Sequence, residues 1–374
     1  MEKSTVIKLI RPRLSQSEIQ AVNQVLETGM LVSGPVVQRF ENSLAEYLGV
    51  KHVICVSSGT AALHLSLLAA GIKPQDEVIV PAFTFPATAN VVENVGAVPI
   101  FVDCGLDGLN LDVNDIERHI GPQTRAIMPV HGLGFPADMD IINDIAAKYN
   151  LTVIEDAACA LGSRYKNRLC GTIGDIGAFS FHPRKLLTTG EGGAIVVKDE
   201  ITASLVKSLR NHGYDDGDYR YAGYNYRMTD FQAAMGLSQL DSYAEYLEER
   251  KKLAHELALL LGRFHWLEVI KPEIGTEPNC QTFVVRLAED IDRKSLLNFL
   301  ASRNIEATIG TYCVPMTHYY RVRYGYRAEE FPKSYDSYNR LVSLPLYHGM
   351  KPIEMVIIFE ALKDFTIEMV KELV

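Results

Sequence analysis

The spacing of hydrophobic and polar positions changes partway along the chain. From about residue 50 to 200, short runs rich in valine and isoleucine alternate with longer helical stretches such as Ala61–Ala70 and Met139–Tyr149. Several runs are apolar at nearly every position, as is typical of strands buried on both faces. The predicted strands are His52–Val56, Glu77–Val80, Val98–Val102, Ala126–Val130, Leu151–Ile154, Ala178–Phe181 and Ala194–Val197. This alternation predicts an α/β layered domain with a mostly parallel sheet.

After Thr229 the pattern becomes predominantly helical. Residues from Thr229 to Leu261 predict one long helix or two in tandem, capped by Thr229 or Asp230. Beyond them the chain predicts a strand, a helix and one or two closing helices, at Gln281–Leu287, Arg293–Arg303 and Lys351–Leu373. We therefore predict a large domain over residues 1–245, including an N-terminal arm, and a smaller C-terminal α+β domain over residues 246–374.

Composition and charge exclude several classes of protein. The 374 residues carry a formal net charge of −9 without a long basic run, which argues against a nucleic-acid-binding surface. The six cysteines are scattered without C-x-x-C spacing, so we expect free thiols and no structural metal site. No apolar run approaches the roughly 18–20 residues of a membrane span, and the first residues lack the apolar core of a signal peptide. We therefore predict a cytoplasmic protein without a membrane partner.

Two segments carry candidate chemistry. Lys185 follows a predicted strand and precedes the glycine-rich segment Thr188–Gly193, while Glu155 and Asp156 end an apolar run. An amine that can form an imine and a carboxylate that can keep a ring nitrogen protonated are the two groups needed to hold pyridoxal phosphate (PLP). Taken singly, a lysine is usually solvated, and the acidic pair is equally consistent with a surface turn.

A third segment could bind the cofactor's phosphate. Residues Ser57–Leu63 follow a strand and open a helix, and Gly59 permits close approach of the backbone to a ligand. Free amides and the helix dipole favour an anion there, although the same residues also suit an ordinary helix cap. The glycines at 190–193 do not predict a dinucleotide site, because they precede a strand and do not open a helix. No G-x-S-x-G elbow supports a serine hydrolase.

Long segments throughout the chain carry a resemblance to one family. They are SGP at 33–35, SSGTAAL at 57–63, DEVIVPAFTFPATAN at 76–90, GAVPIFVD at 96–103, VIEDAACALGS at 153–163, GDIGAFSFHPRKLLTTGEGGAIV at 174–196 and GYNYRMTDFQAA at 223–234. Together they resemble the DegT/DnrJ/EryC1/StrS group of PLP-dependent sugar aminotransferases. The resemblance implies the fold-type I architecture of the aspartate aminotransferase superfamily, with PLP as cofactor.

The resemblance also implies roles for individual residues. Lys185 would form the Schiff base with PLP, and Asp156 would pair with its pyridine nitrogen. The other implied cofactor contacts are Gly59, Thr60 and Ser180 at the phosphate, Phe85 stacked on the ring, and Asn225 at the phosphate of the neighbouring subunit's cofactor. The family is therefore expected to form homodimers with shared sites.

Three further positions concern the ring hydroxyl and the substrate. Cys159 stands where relatives commonly have glutamine bonded to the ring hydroxyl, and a thiol is a weaker donor. His182, three residues before the lysine, resembles family members that aminate the sugar C4 position. His318 falls in a segment that loosely follows the family's loop near the substrate. Lys185 itself argues against the related dehydratases, which have histidine there.

The resulting functional expectation is transfer of an amino group from glutamate to a nucleotide-linked keto sugar. A 4-keto-6-deoxyhexose is favoured, in a pathway of amino-sugar or polysaccharide biosynthesis. The alternatives are a 3-keto nucleotide sugar or a carbocyclic ketone of the aminocyclitol type. A regulatory binding protein without catalysis is the remaining alternative, although the chain has no basic helix-turn-helix pattern.

Overall fold

The fold is taken from a computed structural model that describes residues 6–12 and 14–372. The two predicted domains extend to residues 1 and 374, and their ends at residues 1–5 and 373–374 lie outside these described residues. The N-terminal segment that lacks a signal-peptide core is also described only in part.

A seven-stranded sheet forms the centre of the larger part of the molecule. Its strands, in chain order, are β1 His52–Val56, β2 Glu77–Pro81, β3 Val98–Val102, β4 Thr124–Ile127, β5 Thr152–Asp156, β6 Ile176–Ser180 and β7 Gly193–Val197. Their spatial order is β1-β7-β6-β5-β4-β2-β3. β7 is antiparallel to both of its neighbours, β1 and β6, and every other neighbouring pair is parallel, so the predicted mostly parallel sheet is confirmed.

Helices cover both faces of this sheet. The helices of this part are α1 Gln16–Thr28, α2 Pro35–Leu48, α3 Gly59–Ala69, α4 Pro86–Asn94, α5 Met139–Tyr149, α6 Glu200–Arg210 and α7 Asp230–Asp241. Alternate residues of each strand enter different cores: Val53 and Cys55 pack with α2, α5 and α7, whereas Ile54 and Val56 pack with α3, α4 and α6. The result is a three-layer α/β/α arrangement, because both faces of the sheet are apolar.

A second sheet lies in the C-terminal part. It contains β8 Leu267–Val269, β9 Phe283–Leu287, β10 Thr308–Ile309 and β11 Leu341–Leu344, all antiparallel and in the order β8-β9-β11-β10. The remaining helices are α8 Tyr243–Leu261, α9 Arg293–Ser302, α10 His318–Tyr324, α11 Pro332–Arg340 and α12 Pro352–Glu372. Leu296 of α9 and Ile358 of α12 pack in a separate core with β9.

Short elements complete the fold. Single-turn 3₁₀ helices lie at Glu117–His119, Gly132–Gly134, Val314–Met316 and Ala328–Glu330. Two-residue strands pair Phe83–Thr84 with Tyr312–Cys313, Tyr214–Asp215 with Asp218–Tyr219, and Arg164–Tyr165 with both Arg168–Leu169 and Thr276–Glu277. No described helix is both long and apolar enough to cross a membrane.

The boundary between the two parts runs through α8. Leu247, near its start, packs in the core of the large sheet, whereas Leu253 and Leu257 pack in the C-terminal core. One continuous helix therefore contributes to both cores, and the boundary at residues 245–246 stays a prediction. Of the two options for Thr229–Leu261, the tandem pair is correct: Thr229 caps α7 by accepting a hydrogen bond from the Gln232 amide.

Some predicted boundaries were displaced. The strand expected at Ala126–Val130 occupies Thr124–Ile127 instead, because Pro129 has no amide hydrogen to continue the ladder. The strand expected at Ala178–Phe181 begins at Ile176 and ends at Ser180. The closing segment forms one helix, Pro352–Glu372.

Candidate active site

Three adjacent strands bring the candidate phosphate-binding residues together. Across the sheet, Val56 of β1 lies opposite Gly193 of β7, and Gly193 lies opposite Ser180 of β6. The chain leaves β1 directly into α3, whose cap is Ser58; the Ser58 hydroxyl accepts a hydrogen bond from the Ala61 amide, 3.1 Å away. The ordinary capping interpretation is therefore correct for Ser58, and the same geometry places the start of α3 beside Ser180.

Two glycines make this close approach possible. A Cβ atom at Gly59 would lie 2.7 Å from the Ser180 Cβ and 3.0 Å from its hydroxyl oxygen. A Cβ atom at Gly193 would lie 2.5 Å from the Ser58 carbonyl oxygen. Side chains at either position would force the segments apart, so the glycines keep the first amides of α3 next to the Ser180 hydroxyl. Thr60 is exposed at the same helix start. This cradle of amides and hydroxyls fits a phosphate group.

Asp156 ends β5 and is buried, with 4% of its surface exposed. One carboxylate oxygen accepts a 2.8 Å hydrogen bond from the Thr88 hydroxyl, and the other accepts a 3.1 Å bond from the Ala158 amide. Burial raises the pKa of the Asp156 carboxyl above its ordinary value, although these donors and the Lys185 amine each lower it. Its two hydrogen-bond donors are neutral, so a protonated ring nitrogen would supply the positive charge that stabilises this buried carboxylate.

Lys185 lies in the segment between β6 and β7 and is partly buried. Its Nζ atom donates to the Cys159 sulfur at 2.9 Å. Cys159 follows Asp156 by three residues, which brings the lysine amine to the edge of the sheet where Asp156 lies. The structure thus brings the Lys185 amine against Cys159, close to Asp156, and these residues fit PLP, while their individual roles stay a prediction.

The aromatic and histidine residues expected to contact the ring or the substrate are more exposed. Phe85 immediately precedes α4, one turn before Thr88, and 63% of its surface is exposed. Its ring centroid lies 6.3 Å from that of Tyr312, edge to face. An exposed ring beside the Asp156 partner Thr88 is available to stack on a bound aromatic group.

The two histidines lie in different parts of this region. His182 is partly exposed; its Nδ1 accepts a hydrogen bond from the Arg184 amide at 3.2 Å, and burial lowers its pKa. His318 begins α10 and is exposed. Its segment is joined to the start of α4 through the short strand pair that places Tyr312 opposite Thr84.

Asn225 is exposed, and its backbone forms a bridge with Asn211. The next two residues run along the end of β1, where the Ser57 amide donates to the Tyr226 carbonyl at 2.8 Å and Arg227 lies opposite Val56. The segment that carries Asn225 is therefore anchored beside the phosphate cradle of its own chain.

The sequence did not single out several residues that contact this site. Thr88 binds Asp156 and lies within the matched segment 76–90, so its signal was present. Asn279 and Gln281 hold the backbone around Cys159 and Lys185, and nothing in their local sequence indicates this.

A buried carboxylate with neutral donors, a nearby lysine amine and a phosphate cradle, at the carboxyl edge of an open α/β sheet, define the site of a PLP-dependent enzyme. The DegT/DnrJ/EryC1/StrS aminotransferase family matches residues 12–363. The chain therefore belongs to this family and is a PLP-dependent aminotransferase.

Individual relatives agree with this assignment. The chain is 41% identical to the GDP-perosamine synthase of Caulobacter vibrioides, over 80% of this chain and 83% of that protein. It is 36% identical to the spore coat polysaccharide biosynthesis protein SpsC of Bacillus subtilis, over 94% and 95% of the two chains. Among solved structures, the PLP form of the putative sugar aminotransferase Spr1654 from Streptococcus pneumoniae superposes with a TM-score of 0.91 at 28% identity, covering 96% of this chain and 98% of that one.

Proposed function

We propose that this aminotransferase moves the amino group of glutamate onto the keto carbon of a nucleotide-linked 4-keto-6-deoxyhexose. The observation that carries the transfer is the Lys185 amine beside the buried carboxylate of Asp156. The nucleotide-sugar substrate is supported by the similarity to a GDP-perosamine synthase. His182, three residues before Lys185, supports C4 over C3 through the family resemblance.

Different residues of the chain would have different roles in the transfer. When bound, PLP carries the amino group and withdraws electrons from the reacting substrate carbon. The Asp156 carboxylate would keep the ring nitrogen protonated, because a buried anion favours a cation beside it. Once free, the Lys185 Nζ atom can accept and return the proton at the substrate carbon as a general base and acid. The amides at the start of α3 and the Ser180 hydroxyl would hold the phosphate and fix the ring's position.

The substrate is tested by an absorbance titration. The purified PLP-bound protein is first converted with glutamate to its pyridoxamine phosphate form, and 4-keto and 3-keto nucleotide sugars are then added singly. Return of the PLP band with a 4-keto sugar supports the proposal, and return only with a 3-keto sugar overturns the choice of C4. Response only to a carbocyclic ketone overturns the nucleotide sugar. A failure of glutamate to convert the cofactor would overturn the proposed donor.

We also propose a cytoplasmic homodimer in which Asn225 completes the partner's phosphate site. The support is that the Asn225 side chain is exposed although its neighbours Tyr226 and Arg227 are fixed against β1. Mixing the inactive Lys185→Ala and Asn225→Ala variants distinguishes shared from separate sites. If sites are shared, a mixed dimer regains one intact site and activity returns. If Asn225 acts within its own chain, no subunit pairing restores a complete site.

A further inference from the structure

The tripeptide Asn279–Gln281, just before β9, uses its two buried polar side chains to contact both segments that carry the candidate catalytic groups. The side chains of Asn279 and Gln281 have 1% and 4% of their surfaces exposed. One binds the backbone at Cys159, and the other binds the backbone around Lys185. A segment distant in the chain thereby joins two parts of the site whose side-chain atoms lie 2.9 Å apart.

Gln281 binds the backbone on both sides of Lys185. Its Oε1 atom accepts a 3.0 Å hydrogen bond from the Leu186 amide, and its Nε2 atom donates a 2.6 Å bond to the Arg184 carbonyl. The first contact requires an acceptor and the second a donor, and a glutamine amide supplies both without charge. The peptide groups that flank Lys185 are therefore fixed, and the lysine amine itself donates to the Cys159 sulfur.

Gln281 is itself held in place. Its backbone amide donates to the Asn279 side-chain oxygen at 2.9 Å, and its backbone carbonyl accepts a 2.8 Å bond from the guanidinium of Arg250. Arg250 is buried and also donates to the Cys280 carbonyl at 2.5 Å. Cys280 has a φ of 56°, a left-handed conformation that non-glycine residues seldom adopt unless surrounding contacts enforce it.

Asn279 makes the corresponding contact on the other side of the site. Its Nδ2 atom donates to the Cys159 and Leu161 carbonyls, each at 2.9 Å. The turn that follows Asp156 is thereby fixed to the same tripeptide as the lysine segment.

We propose that Gln281 is a positioning residue that sets the direction from which the Lys185 amine reaches the cofactor. The inference rests on the proposed function of Lys185 as the residue that binds PLP. Its physical basis is that a lysine has four rotatable bonds, so the place reached by its amine depends on how firmly the backbone beneath it is held. A misplacement of about 1 Å can slow a reaction by about a hundredfold.

The chain offers a matched control. Gln239 is also buried and also makes a two-point contact on this segment, where its Oε1 accepts from the Thr188 amide at 3.0 Å and its Nε2 donates to the Thr188 carbonyl at 2.8 Å. Gln281→Met and Gln239→Met each remove one accepted and one donated hydrogen bond to the backbone. The bonds of Gln281 flank Lys185, and those of Gln239 lie at Thr188, three residues later. Gln281→Glu keeps the acceptor for the Leu186 amide but replaces the donor to Arg184 with a carboxylate oxygen and adds a negative charge.

The first measurement needs no cofactor. Amide hydrogen exchange of the PLP-free full chain should show faster exchange at Leu186 in Gln281→Met and at Thr188 in Gln239→Met. Gln281→Glu should retain protection of Leu186. Unchanged exchange at Leu186 in Gln281→Met would overturn the inference, because the contact would then contribute nothing to holding the segment.

The second measurement is the rate at which added PLP becomes covalently attached to Lys185, followed by borohydride trapping and mass spectrometry. Gln281→Met should slow attachment by about tenfold to a hundredfold, and Gln281→Glu should slow it less. Gln239→Met should attach PLP at nearly the wild-type rate. Equal slowing in both methionine variants would show that Gln281 only stabilises the loop in general, and it would overturn the inference. Attachment at the wild-type rate in Gln281→Met would overturn it while leaving the proposed function intact. An absence of attachment in the wild-type protein would overturn both.

Discussion

The two faces of the central sheet surround a buried carboxylate differently at the end of β5, where Glu155 and Asp156 are neighbours in sequence. Both residues are buried, and their side chains point to opposite faces, as successive residues of a strand do. On the Glu155 face, the carboxylate is enclosed by donors from its own chain. On the Asp156 face, the donors are fewer and neutral, and a lysine amine lies nearby.

The Glu155 carboxylate accepts four hydrogen bonds. They come from the His131 ring at 2.8 Å, the Gly171 amide at 2.7 Å, and the Ile173 and Gly174 amides at 2.6 Å each. Burial alone would raise the pKa of Glu155, but the His131 and backbone hydrogen bonds hold it below its ordinary value. The pKa of Asp156 shifts in the opposite direction, so the surrounding protein stabilises the charged form of Glu155 but does not fully offset the burial of Asp156.

Removing the amine on the Asp156 face should have the largest effect. Lys185→Ala should lower turnover by more than about a thousandfold, because it removes both the covalent attachment and the proton-transfer group. Steady-state assay with glutamate and a keto nucleotide sugar measures the loss, and thermal unfolding checks that the fold is intact. Lys198→Ala, which removes an exposed lysine just after β7, serves as the control. Normal turnover in Lys185→Ala would remove Lys185 from its proposed role.

Asp156→Asn should slow catalysis by about tenfold to a thousandfold, since an opposite charge nearby shifts a pKa by about 1–3 units and an amide supplies none. The variant should also bind PLP more weakly. In the PLP-free protein its thermal stability should be unchanged or higher at neutral pH, because burial raises the pKa of Asp156 and ionisation of this carboxyl therefore opposes folding. Near-normal catalysis would show that Asp156 does not hold the ring nitrogen protonated.

Glu155→Gln should have the opposite effects to Asp156→Asn: a large loss of stability and little direct effect on PLP chemistry. The glutamine NH₂ group would face backbone amides that have lost an acceptor, which should destabilise the fold by about 1–3 kcal/mol. Because the pKa of Glu155 is lowered by folding, its contribution is present above the unfolded value of about 4.3 and disappears as pH falls through the folded value. Denaturant unfolding across pH should therefore show the two proteins converging in acid. A constant difference at every pH would contradict this account of Glu155.

The sequence predicted the sheet because its strands are continuous apolar runs, and the long matched segments singled out both Lys185 and Asp156 as PLP-binding residues. The interpretation of Glu155–Asp156 as a surface turn was wrong, because donors from residues 171–174 make burial of Glu155 favourable. The contacts of Thr88 with Asp156 and of Gln281 with Leu186 join residues 68 and 95 positions apart. Such contacts depend on how elements pack, so the matched segments could at most single out Thr88 as a residue, and no local pattern reveals which residues Thr88 and Gln281 contact.

Cys159 offers the smallest and most local test on the Asp156 face. Its thiol accepts the Lys185 hydrogen bond at 2.9 Å, and its carbonyl is held by Asn279, so the side chain can change while the backbone stays in place. Cys159→Gln should be tolerated and should retain PLP as well or better, because an amide donates a stronger hydrogen bond to the ring hydroxyl than a thiol does.

The rate of PLP loss after dilution measures this effect, with Lys198→Ala, a change at an exposed lysine outside the site, as the control. Slower PLP loss in the Cys159 variant alone would support a contact between this position and the ring. An inactive Cys159→Gln protein with a normal fold would show that the space beside Lys185 is shaped for the smaller thiol. The cofactor face of this enzyme would then differ locally from that of relatives with glutamine, even though its lysine and aspartate are retained.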